Sequence, residues 1–208
     1  RYRTRRENLT LSKKTNMSDL YTAKNWQHLL GLPGMSDVML TNHFTLYEGY
    51  VKNSNLLMEK LDTLEAGTPE YSELKRRLGW EFDGMRLHEL YFGNMSKEGS
   101  SLAEDSALGQ KIVATWGSVS QWQESFSKLG LMRGIGWVML LKDNVTGELF
   151  HTWIGDHHEG HIIDTTPLLV MDCWEHAYIT DYGIKRADYI EAFTKVIDWR
   201  VVTERFEA

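Results

Sequence analysis

Two long stretches with a helical period, split by a single breaker, most limit what this chain can fold into. From Ser36 or Asp37 onward, Val38, Leu40, His43, Phe44, Tyr47, Tyr50 and Val51, then Leu56, Leu57 and Leu61, recur at spacings of three and four. That is the period of a helix with one buried stripe. Gly67-Thr68-Pro69 stops the run, because Thr68 can cap and Pro69 suits a first helical turn. The second stretch, about 69–93, points Leu74, Leu78, Phe82, Met85, His88, Leu90 and Tyr91 inward. Each stripe has to be covered, and covering one with the other predicts an antiparallel hairpin.

The texture then changes. Trp137 to Leu141 reads as a strand, Asp143-Asn144-Val145-Thr146-Gly147 as a turn, Leu149 to Ile154 as a returning strand, and Pro167 to Cys173 as a third strand. Shorter helical patterns fall at 22–30 (before Gly31-Leu32-Pro33-Gly34), 104–115, 118–130 with Ser118 as cap, 174–182 and 187–207. The expected class is α+β: an N-terminal long helical hairpin plus a C-terminal α/β lobe with a three-stranded antiparallel sheet. The expected division is a basic tail over 1–20, a hairpin lobe over 21–105 and the α/β lobe over 106–208.

Composition enters where it excludes functions. A chain of 208 residues, 42% hydrophobic, can bury a core without staples, and its one Cys rules out a disulfide framework. No apolar run approaches the ~20 residues of a membrane span, so no membrane partner is expected. Residues 1–24 carry Arg1, Arg3, Arg5, Arg6, Lys13, Lys14 and Lys24 against Glu7 and Asp19. With a net charge of −6 overall, the rest of the chain is strongly acidic, which argues against a general nucleic-acid binder. The basic start has no apolar core and is not a secretory signal. It reads as a tail or as translated sequence before Met17, with some transit-peptide character; the expected compartment is cytoplasmic, or organellar if that character is real.

Asp172 ends an apolar strand, where an unpaired carboxylate is costly, and His176 follows four residues later. Alone, this pair reads equally as a helix cap and a core histidine. His43 and His88 on the inward faces of the two long helices change the weighing. Three imidazoles and one carboxylate suit iron or manganese with a position left open. They do not suit a structural zinc site, since Cys173 is the only thiol.

The stretch Asp172-Cys173-Trp174-Glu175-His176-Ala177-Tyr178, continuing to Asp181-Tyr182 and Lys185-Arg186-Ala187-Asp188-Tyr189, resembles the C-terminal signature of the iron/manganese superoxide dismutases. Gly134-Ile135-Gly136-Trp137, His43 with Tyr50-Val51, and His88 in Leu87-His88-Glu89-Leu90-Tyr91-Phe92 resemble further segments of that family. The likeness runs over about 22–206. It implies His43, His88, Asp172 and His176 as ligands of one manganese or iron ion per chain. It also implies dismutation of superoxide to dioxygen and hydrogen peroxide by one-electron cycling of that ion. Tyr50 and His157 are the implied catalytic relay to metal-bound solvent, Trp80, Trp137, Trp174 and Phe92 an apolar shell, and Lys185 and Arg186 a positive rim.

Three departures from the family pattern stand out. The solvent-bonding Gln is absent: Gly84 occupies one of its two positions, and His157 corresponds to the other. This tips the expectation towards manganese, with either metal usable. Tyr47 stands four residues after His43, where a second His is usual. Tyr50 comes after seven residues rather than eight; seven turn ~700°, almost back to the ligand face, and eight overshoot by ~80°. An unbulged helix should therefore aim Tyr50 at the site. Glu175 and Tyr178 match positions that cross a dimer interface, which implies a homodimer and allows a tetramer; a Glu175 left near-buried without a partner would favour that assembly. The rival reading from another class is a catalytically silent metal-binding or scaffold protein on the same fold. A di-iron oxidase would need paired Glu-x-x-His motifs, which the ligand helices lack.

Overall fold

The structure is a computed structural model that describes residues 20–208; the basic tail falls almost wholly outside them. Helix α1 spans Asp37–Thr63 and α2 spans Pro69–Gly93, packed against each other. Each start is chemically defined. Ser36 accepts a hydrogen bond from the Met39 amide, and Thr68 accepts one from the Tyr71 amide with Pro69 in the first turn. Along α1 the buried stripe takes in Leu40, His43, Phe44, Tyr47, Val51, Leu57 and Leu61, whereas Val38 and Leu56 fall off it and are exposed.

Strands β1 (Gly136–Asp143), β2 (Leu149–Gly155) and β3 (Thr165–Asp172) form an antiparallel sheet in the order β2-β1-β3. Central β1 is buried from Gly136 to Leu141, which explains its unbroken apolar run. β3 starts two residues earlier than the sequence suggests. Its Pro167 is tolerated because β3 is an edge strand and the register shifts there, between Leu140 and Leu141 of β1. The register decides where the site lies. Trp137 pairs with Asp172 and Gly136 with Gly155, so the start of β1 and the ends of β2 and β3 meet at one end of the sheet. Since β2 and β3 both run against β1, the 156–164 segment has to cross back past β1, and it begins at that same end.

Four helical expectations are corrected. The 22–30 helix reduces to one 3-10 turn, Gln27–Leu29. Helix α3 is Ala107–Trp116, delayed because Ser106 caps it; α4 is Val119–Gly130. The 174–182 pattern splits into a 3-10 turn, Glu175–Ala177, and the short α5, Ile179–Tyr182, because the chain turns at Tyr178. The 187–207 pattern splits into α6 (Arg186–Lys195) and α7 (Trp199–Glu207). Between them Ile197 bridges to Met95 and the Asp198 amide bonds the Asn94 carbonyl, long-range partners that displace local helix.

Candidate metal centre

Four elements deliver four side chains to one buried point. His43 comes from α1, His88 from α2, Asp172 from the last position of β3 and His176 from the turn that follows. Their donor atoms all lie within 4.8 Å of one another. Asp172 Oδ2 sits 3.1 Å from His43 Nε2, 3.1 Å from His176 Nε2 and 3.8 Å from His88 Nε2. Its other oxygen accepts the Trp174 amide at 2.8 Å, which fixes the carboxylate plane. His43, His88 and Asp172 are buried, while His176 keeps about a quarter of its surface.

The protonation states follow from surroundings. Burial lowers the pKa of His43 against the opposing Asp172 hydrogen bond, and lowers that of His88 further with help from the neighbouring His43. Burial alone would raise the Asp172 carboxyl, but His176 and His43 beside it hold it well below the usual carboxylate range. The cluster thus holds one carboxylate, with His43 and His88 in the neutral form. His88 Nδ1–H donates to the Gly84 carbonyl at 2.6 Å, so its Nε2 carries a lone pair. That Nε2 is buried with no hydrogen-bond partner, a costly state unless something electrophilic meets it. Metal–donor bonds of about 2.1 Å at angles of 90–120° would set neighbouring donor atoms about 3.0–3.6 Å apart. The two 3.1 Å spacings fall in that range, whereas the 3.8 Å to His88 and the widest separations, up to 4.8 Å, exceed it; the donor set and the orphaned lone pair fit a first-row ion.

His157 is fully buried although its neighbours in sequence are polar, so it is not a solvated loop histidine. Gly155 and Glu159 exchange both backbone hydrogen bonds, closing a tight turn with Asp156 at a left-handed φ of 49°. The turn is pinned where Asp156 accepts from Trp174 Nε1 and the His157 carbonyl bonds His161 Nε2. Trp137 Nε1 lies 3.1 Å from His157 Nδ1 and can only donate. Neutral His157 therefore bears its proton on Nε2 and donates it to the Tyr50 hydroxyl at 2.7 Å. Burial lowers the His157 pKa to about 4 and raises that of Tyr50, so both keep these states at neutral pH. The Tyr50 ring stacks on His88 with centroids 5.2 Å apart.

These features bear on which family the chain joins. Residues 104–205 match the C-terminal domain of the iron/manganese superoxide dismutases. A superoxide dismutase [Mn] of Haloferax volcanii is 34% identical over 178 residues, covering 84% of this chain and 88% of the relative. A superoxide dismutase [Fe] of Cupriavidus metallidurans is 37% identical over 183 residues, covering 85% and 91%. One of Aquifex pyrophilus, also [Fe], is 37% identical over 185 residues, covering 85% and 86%. The chain belongs to the iron/manganese superoxide dismutase family.

Helix α1 runs as an uninterrupted α-helix through 43–51, and the Tyr50 ring lies against the cluster at His88. Gly84 has a reason that the sequence alone did not disclose: a Cβ there would come within 2.7 Å of Tyr50 Cδ1. Tyr47 points elsewhere. Its hydroxyl donates to Glu89 at 3.0 Å and accepts from the Lys24 amide, and burial pushes its pKa up to about 12. Glu89, a buried carboxylate held by Arg86 and Lys24, was missed from sequence because none of its partners is visible in the ligand pattern. The expected apolar shell is present: Trp137 lies against His88, Phe92 against His43, Trp174 against His176, and Trp80 against His157.

Arg186 is tethered, its guanidinium donating to the carbonyls of Gly134, Cys173 and Met132; these neutral acceptors leave its positive charge in place. One expectation needs correction. Glu175 is exposed rather than near-buried in the single chain, because the turn at 175–177 directs it outward. An isolated Glu175 therefore does not by its burial demand a partner.

Proposed function

We propose that this chain disproportionates superoxide at the cluster of His43, His88, Asp172 and His176, holding one manganese or iron ion per chain there. The observation that carries the reading is the buried, unpaired Nε2 of His88, which shares its space with three further donors. When bound, the ion supplies the one-electron oxidation and reduction that turn two superoxide ions into dioxygen and hydrogen peroxide. Asp172 contributes the single negative charge that offsets the ion's, and neutral His43 and His88 offer lone pairs without first losing protons. His157 donates to Tyr50 and so leaves the phenol proton free for an oxygen in the site; that pair is the proton path to product. Trp80, Trp137, Trp174 and Phe92 keep bulk water from the cluster.

The pairing of small Gly84 with polar His157 supports manganese as the preferred ion, with iron also usable. A homodimer through Glu175 and Tyr178, with a tetramer as a larger form, is supported by the exposed Glu175 beside partly open His176. Loss of the dimer on Glu175→Ala in sedimentation would support that contact; an unaffected dimer would exclude it. The cytoplasm is the proposed compartment; among the described residues no helix is long and apolar enough to cross a membrane. The functional test is stopped-flow superoxide decay on protein loaded separately with manganese and iron, normalised to bound metal. Decay well above free-ion controls with at least one metal is expected. Bound metal without decay would make the chain a silent metal-binding protein.

A further inference from the structure

A cavity of about 600 Å³ between α1 and α2 opens beside Tyr50 and is lined by Asn53, Arg77, Trp80 and Glu81 among others. Arg77 and Glu81 are the only charged residues among the described ones that line it. Glu81 is a carboxylate only 3% exposed. One of its oxygens takes the Arg77 fork, from Nε at 2.8 Å and from a terminal nitrogen at 2.7 Å, and the other accepts from Asn53 at 3.2 Å. The Arg77 guanidinium also lies over the Trp80 ring, 4.8 Å from its centroid, and Trp80 in turn meets the His157 ring at 5.1 Å.

We propose that Arg77 and Glu81 are a charge-compensating pair at the mouth of the site, and that Arg77 keeps the mouth permissive to a small anion. A buried carboxylate beside the approach to Tyr50 would repel superoxide; Arg77 cancels that field on the spot. This rests on superoxide being the substrate. The pair acts through the potential at the mouth, so both residues are positioning residues for an anion.

The test uses the metal-loaded parent, Arg77→Gln, Glu81→Gln, the double variant and Arg77→Lys. At about 10 mM ionic strength kcat/KM is expected to fall about tenfold in R77Q and to rise about threefold in E81Q. Both gaps close near 0.5 M salt, where screening acts within about 5 Å. The salt slope of the double variant lies between those of the singles, and R77K, which keeps the cation, follows the parent's slope. A second readout needs no turnover. Quenching of Trp80 fluorescence, isolated by comparison with Trp80→Phe forms, should by iodide rank E81Q above parent above R77Q, with no ranking by neutral acrylamide. Equal salt slopes and equal iodide quenching across the set would overturn the proposal. The expected quenching order in a parent that does not consume superoxide would leave the mouth's potential standing and defeat the dismutase reading instead.

Discussion

His88 and His151 look alike when each is viewed alone. Both are boxed by aromatic rings, both have a buried Nε2 without a hydrogen-bond partner, and burial lowers both pKa values, that of His151 to about 4. Their surroundings differ. His88 Nε2 faces Asp172, His43 and His176, whereas His151 sits among Trp116, Trp122 and Phe126 with Ser125 at its other nitrogen. Among the described residues the His88 group is the only cluster of three or more metal-type donors. An orphaned imidazole is therefore a structural expense in one place and, on the proposed reading, a metal ligand in the other, and the convergence of further donors decides which.

The sharpest way to break this comparison is to remove the one anion. Asp172→Asn should weaken metal binding by more than a hundredfold in chelator competition and reduce superoxide decay to free-ion controls, while His151→Gln should retain the ion. Equal metal loss from both variants would erase the distinction. Next in size is the Tyr50 hydroxyl. Tyr50→Phe should lower kcat about tenfold at unchanged metal content, and Gly84→Ala should do similar damage by pushing the Tyr50 ring off His157. If Gly84→Ala keeps full activity, the close fit of that ring has no functional weight.

Acid should sharpen the contrast from the other side. The folded His151 has a pKa of about 4 against 6.5 for an ordinary histidine, so below 6.5 the unfolded chain takes up the proton first. Its contribution to stability is intact above pH 6.5 and is lost as pH falls from there towards 4, with about 1–2 kcal/mol gone by pH 5. Urea unfolding at pH 7.5 and pH 5 should show a smaller loss in His151→Gln than in the parent; identical losses would exclude this role. The smallest effect expected is His157→Gln. An amide can still accept from Trp137 and donate to Tyr50, so kcat should change no more than about threefold, and a collapse would show that the imidazole itself is required.

Much of this site was legible because its residues follow local rules. His43 and His88 lie on helical stripes, Asp172 closes an apolar strand, and the count of seven from His43 aimed Tyr50 correctly on an unbulged helix. His157 was legible only through its distance from Asp172, since polar neighbours hid a side chain that the turn at 155–159 buries. The Arg77–Glu81 pair is a local i, i+4 spacing on α2 that the ligand pattern overshadowed; its contact with Asn53 and the Tyr47–Glu89–Lys24 group were not legible, because they join segments whose relative placement no local period encodes. The same holds for the break at 196–198, where Met95 and Asn94 supply partners from a hundred residues away.

The central claim is that convergence of donors, rather than a lone orphaned nitrogen, makes the metal site. Anomalous scattering from crystals of the manganese- or iron-loaded protein, recorded on both sides of the metal's absorption edge, tests it most directly. One peak per chain enclosed by His43, His88, Asp172 and His176, with none at His151, is the predicted result. A peak elsewhere, or none in protein that carries stoichiometric metal, would contradict it.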